Sequence, residues 1–167
     1  INMVASELDG IGTEHLSELE HMGYDYVEMP LAEMMRLDGP NFLELKRRVD
    51  RLTIGCEVCN NFFPKHMRLT GQEVRMDLVL SYAERALTRA KDLGAACVVF
   101  GSGSAKNVPK GTSLEKGYQQ IVDLLNQIAS LAANRDIIIC IEPLRKQECN
   151  LINTFEEGGR LADELRH

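Results

Sequence analysis

Apolar residues along the chain follow two rhythms. Short unbroken runs, Ala96-Cys97-Val98-Val99-Phe100-Gly101 and Ile137-Ile138-Ile139-Cys140-Ile141-Glu142, read as parallel strands buried on both faces. Gly23-Tyr24-Asp25-Tyr26-Val27-Glu28 and Thr53-Ile54-Gly55-Cys56-Glu57-Val58-Cys59 read as two further strands, and Asn2-Met3-Val4-Ala5 as the stub of an earlier one. Between them the apolar positions recur at three- and four-residue steps. Val79, Tyr82, Ala86, Ala90 and Leu93 form one stripe over Glu73 to Leu93, closed by Gly94 at the left-handed C′ position. Leu114, Tyr118, Ile121, Leu125, Ile128 and Ala132 form another. Shorter helices are predicted over 14–22, 42–49 and 155–165. Thr70-x-x-Glu73, Thr112-x-x-Glu115 and Thr154-x-x-Glu157 read as capping boxes at three helix starts.

Strand starts recur at intervals of roughly 30 to 40 residues, the size of a βα unit with its loops. The expected fold class is therefore α/β, with about five βα units in series forming one domain over 1–167. Two arrangements satisfy the pattern: a doubly wound flavodoxin-like sheet, or the first part of a (β/α)₈ barrel, which needs about 250 residues.

The chain has 167 residues, 44% of them hydrophobic, enough for a real core. Its formal net charge of −6 and the lack of a basic stripe argue against a general polyanion binder, so no nucleic-acid partner is expected. No apolar run reaches the roughly 20 residues that span a bilayer, and no membrane partner is expected. The five cysteines are an odd number beside an N-terminus without signal-peptide character, so a disulfide framework is not expected and a cytoplasmic location is. Cys97 and Cys140 read as small buried hydrophobes. Cys56 and Cys59 read as core or loop thiols, since no second pair at zinc-ligand spacing follows.

Both candidate folds place function at the carboxyl ends of the strands. Those positions hold Glu28-Met29-Pro30, Asn60-Asn61-Phe62-Phe63-Pro64, Gly101-Ser102-Gly103-Ser104 and Glu142-Pro143-Leu144. Glu142 stands out because an apolar strand leads directly into it, and a carboxylate there needs a partner or a cation. Its bland alternative is an ion pair with Arg145 or Lys146. Glu148 lies six residues on, in the same loop, where two carboxylates can flank one ligand. Gly101 to Ser104 resembles a phosphate-cradling loop but lacks the lysine and spacing of a P-loop. His66 reads as a solvated loop residue.

Taken together, Gly23 to Glu28, Glu57 to Pro64, Val99 to Gly103, and Ile141-Glu142-Pro143-Leu144 with Glu148 and Asn153-Thr154 resemble the sugar phosphate isomerase/epimerase family with the xylose isomerase-like TIM barrel. The resemblance covers nearly the whole chain. It implies a metal-dependent sugar or sugar phosphate isomerase or epimerase that works by proton transfer through an enediolate. It implies a divalent metal (Mn, Mg, Co or Zn) at the barrel mouth, with Glu142 as one ligand and as the catalytic acid/base. Glu148 matches a substrate-contacting glutamate, and Asn60, Ser102 and Glu28 are the further substrate-side candidates. The remaining metal ligands are expected beyond His167, so the chain reads as the first five units of a longer, homo-oligomeric enzyme. Arg145-Lys146 departs from the Asn-Arg more common at this place. Two other readings stand beside it: a non-catalytic half-barrel that oligomerises, and a flavodoxin-like domain binding a phosphate ligand through Gly101 to Ser104.

Overall fold

The computed structural model describes residues 11–166, so the strand stub expected over 2–5 lies outside the described residues. Four parallel strands form one sheet: β1 (Tyr26–Pro30), β2 (Gly55–Asn60), β3 (Cys97–Phe100) and β4 (Ile138–Ile141), in the spatial order β1-β2-β3-β4. Each starts within three residues of the position expected from its apolar run. Sequential order is what a barrel wall requires. The doubly wound alternative needs a point at which strand order reverses, and the described sheet has none.

The connections are helical. After a 3₁₀ turn at Thr13–His15 come α1 (Leu16–His21), α2 (Leu31–Met34) and α3 (Gly39–Val49), followed by α4 (Met76–Asp92), α5 (Gly103–Lys106), α6 (Leu114–Ala133) and α7 (Phe155–Glu164). Gly94 has φ +93°, as a helix-stopping residue should. Of the three expected capping boxes, one forms at the expected residue: the Thr154 hydroxyl accepts from Glu157 N–H at 3.2 Å. The cap of α6 is Ser113, one residue after Thr112, accepting from Lys116 N–H at 3.2 Å. Thr70 caps no helix. Its hydroxyl donates to the carbonyls of Lys106 and Asn107, and α4 begins only at Met76.

The core lies on one side of the sheet. Val27, Met29, Cys56, Cys59, Val98 and Phe100 are buried beneath α4, α6 and the other helices. The opposite, inner face of the arc is open, with Ile138 at 68% exposure and Val58, Cys97 and Val99 only half-buried. The expectation that β3 and β4 are covered on both faces is thus corrected. No element among the described residues packs on the inner side, where a closed barrel places the layers of its opposing strands.

Cysteine placement corrects a second expectation. Cys97 and Cys140 both face the open inner side, half-buried and exposed respectively, and their sulfurs are joined across β3 and β4 with Cα atoms 6.6 Å apart. They are not isolated core hydrophobes. Cys56 and Cys59 are buried free thiols on β2 with sulfurs 3.9 Å apart. Their mutual hydrogen bond and burial push the Cys59 thiol far up, away from the thiolate that redox chemistry or zinc binding needs.

Candidate functional site

The carboxyl ends of the four strands frame a cleft of about 730 Å³. Glu28, Asn60, Ser102, Glu142 and Glu148 all line it, so every site candidate named from the sequence falls on one surface. Asn61, Lys65, Ser104 and Gln147 line it too. His66, in contrast, is exposed and is not among the residues that line the cleft.

Glu142 follows the last residue of β4, and its N–H donates to Phe100 O at 3.2 Å as the final rung against β3. Pro143 fixes the turn that follows. The carboxylate then folds back over Gly101, where a β-carbon would collide with its Oε2. Gly103 makes a similar close approach: a β-carbon there would meet Leu144 Cδ1 at 2.9 Å and Glu148 O at 3.0 Å. The two glycines therefore let the Glu142–Glu148 loop settle on the β3–α5 turn. This gives Gly101 and Gly103 a packing role, and α5, which follows, is a single turn.

Ser102 holds the sharpest backbone of the turn, with φ 43° in the left-handed region. Its buried hydroxyl accepts the Phe63 N–H at 3.1 Å, which leaves its own O–H to donate towards a ligand. Asn60 ends β2 and donates over a long 3.5 Å to Glu28, one strand away. Asn61, also at positive φ, is held by the Glu33 carboxylate at 2.8 and 2.9 Å.

Arg145 does not neutralise Glu142. It donates to Glu148 at 3.0 Å, and no ion pair of the Glu142 carboxylate occurs among the described residues. The Arg145 hydrogen bond holds the Glu148 carboxyl below its ordinary range, so Glu148 is an anion at neutral pH. Glu142 is exposed on the open cleft, so water solvates it. The burial cost anticipated from the apolar run before it does not arise, because that run is covered on one face alone.

Lys106 escaped notice in the sequence. It is fully buried, and its Nζ donates to the Glu142 carbonyl at 3.3 Å while lying 5.4 Å from the centre of the Phe100 ring. Burial pushes its ammonium group down from the usual lysine range. The only sequence signal was an ionisable residue set between Ala105 and Val108, both of them buried.

The residues present do not make a metal centre by themselves. Among the described residues no three His, Cys, Asp or Glu side chains are grouped to hold an ion. Resident divalent ions take several protein donors. Glu142 offers one.

The fold is shared with known proteins. The sequence model of the family described as Xylose isomerase-like TIM barrel matches residues 16–167. No curated protein sequence matches the chain. Among solved structures, D-psicose 3-epimerase from Clostridium cellulolyticum H10, with D-tagatose, is similar at TM-score 0.77 and 16% identity, covering 93% of this chain and 54% of that one. D-allulose 3-epimerase from Methylomonas sp. is similar at TM-score 0.79 and 18% identity, covering 93% and 53%. The IOLI protein with a bound zinc atom is similar at 0.69 and 17%, covering 100% and 58%. The chain thus spans little more than half the length of these structures.

Proposed function

The chain belongs to the xylose isomerase-like TIM-barrel family, and from that premise we propose that it supplies part of the active site of a sugar or sugar phosphate isomerase or epimerase. The observation that supports this reading is the gathering of Glu28, Asn60, Ser102, Glu142 and Glu148 on one open cleft at the strand ends. The fold family, and structural neighbours that are sugar epimerases, agree with it.

In this proposal Glu142 is the acid/base. The hydroxyl-bearing carbon beside the sugar's carbonyl gives its proton to the carboxylate, and the C–H electrons pass onto the carbonyl oxygen to form an enediolate. Delivery of a proton to the opposite face by a second acid, supplied in this proposal by the whole protein, epimerises the carbon. Delivery of the held proton to the former carbonyl carbon, with a hydroxyl proton passing between the two oxygens, isomerises the sugar. Glu148, anionic and fixed by Arg145, accepts hydrogen bonds from sugar hydroxyls. The Ser102 O–H and the Asn60 amide donate to hydroxyl or carbonyl oxygens, and Glu28 accepts on the far side. The divalent cation that such an enzyme would use belongs to the proposal for the whole protein, with Glu142 as one oxygen donor. Homo-oligomeric assembly and a cytoplasmic location belong to the same proposal. On the side of fact, no helix among the described residues is long and apolar enough to cross a membrane.

The test is wash-in of solvent deuterium into a panel of ketoses and ketose phosphates by the protein that carries this chain, followed by NMR. At least one sugar should exchange at a carbon beside its carbonyl. Glu142→Gln keeps the shape but has no base, and should lower the rate about 10²- to 10⁴-fold. Exchange in no sugar, or full exchange by Glu142→Gln, overturns the proposal.

A further inference from the structure

We infer that Lys106 is a positioning residue for Glu142, acting as a buried clamp on its backbone. This rests on the reading of Glu142 as the acid/base, and it concerns how that carboxylate is aimed.

The sequence places Lys106 at the end of the one-turn helix α5, just after the Gly101–Gly103 turn. An ammonium group with no solvent exposure is costly to fold unless it is hydrogen-bonded. Among the described residues, the hydrogen bond it makes is to the Glu142 carbonyl, at 3.3 Å. The Phe100 ring face, 5.4 Å away, adds a second contact suited to a cation. An apolar side chain would fill the same space without that cost, so the charge has a use at this place.

That use follows from the geometry around Glu142. Its N–H is held by Phe100 O at 3.2 Å, the last rung of the β3–β4 ladder. Its carbonyl lies past the end of β4, followed by Pro143, which has no N–H to share in a further rung. Lys106 takes up that carbonyl from below. The peptide is thus gripped on both sides, and the side chain leaves it towards the cleft across the bare surface of Gly101. The Lys106 carbonyl also accepts from Thr70 Oγ1 at 3.3 Å, and Arg68 donates to Ser104 O at 3.0 Å, so the clamp is braced by the loop after β2. A displaced acid/base loses rate steeply, of order 10²-fold for about 1 Å. The clamp should therefore govern turnover more than substrate affinity.

Lys106→Met keeps the length and apolar body of the side chain and removes the donor. On a sugar that the wild type turns over, kcat should fall about 10- to 100-fold with KM within about twofold. Lys106→Arg, which keeps a cationic donor, should recover most of kcat. The melting temperature of Lys106→Met should hold or rise, because a buried charge is gone. An unchanged kcat, or a loss that Lys106→Arg shares fully while both variants melt as the wild type does, overturns the clamp. A readout independent of turnover is the backbone ¹³C′ resonance of Glu142. It should move upfield in Lys106→Met and stay near wild type in Lys106→Arg. A wild type that turns over no sugar sinks the functional proposal and leaves this resonance to judge the clamp, and a ¹³C′ signal indifferent to both variants refutes it.

Discussion

Gly101 has no side chain because Glu142 occupies the space one would need. Its φ lies outside the left-handed region, so the constraint is contact rather than φ. Gly101→Ala would put a methyl group against Glu142 Oε2, and the exposed carboxylate, free to turn into the cleft, would move before the β3 backbone did. The expected outcome is a protein that melts within a few degrees of wild type but has lost about 10-fold or more in turnover. Equal losses of stability and activity would mean that the strand end had shifted instead. Gly103 answers to the same logic, with Leu144 and the Glu148 carbonyl as its neighbours. In the sequence the two glycines show only a weak likeness to a phosphate-cradling loop. Their true partners come from a loop 40 residues later, and close approach across that separation leaves no local mark.

At the scale of elements, sequence and structure agree most where burial follows a period. Each strand sits within a few residues of its apolar run, and the stripe from Val79 to Leu93 is the buried face of α4. Side-chain caps were less legible, because a Thr hydroxyl can bond wherever a carbonyl or N–H comes within reach. Thr70 is drawn to Lys106 O and Asn107 O by tertiary contact, and Ser113 precedes α6 where Thr112 was expected to. At α7 the expected cap is present, and the Glu157 carboxylate reaches the N–H of Asn153, one residue before the cap. Asn153 in turn donates through its amide to Leu144 O and Cys149 O, so this cap is continuous with the loop that carries Glu148. Thr154→Ala should cost about 1 kcal/mol in urea unfolding. It should also raise hydrogen exchange at the Glu157 amide more than at amides in the middle of α6. The site residues at strand ends were legible for the same reason as the strands. Lys106 was not, since nothing local distinguishes a buried lysine from a solvated one.

The molecule as a whole is an arc with one core. Helices α4 and α6 pack on each other and on the outer side of the sheet, where Leu87, Leu124, Leu125 and Ile128 are buried. On the inner side Ile138 stands 68% exposed beside half-buried Val99 and exposed Cys140. Two substitutions that remove comparable hydrocarbon should therefore differ sharply in cost. Leu87→Ala leaves a cavity between packed helices and should lower unfolding free energy by about 2–5 kcal/mol. Ile138→Ala removes methyl groups that already face water, and should cost less than about 1 kcal/mol. Urea titration of both variants at two protein concentrations measures the difference, with an unchanged m-value as the sign that only stability has moved. A large Ile138→Ala penalty that grows with protein concentration would show the inner face covered by a second copy of the chain. One that ignores concentration would show it covered within the same polypeptide. In either case the cleft at the strand ends would gain a wall, and Glu142 would pass from an exposed carboxylate to an enclosed one with a matching rise in its need for a cation or a donor.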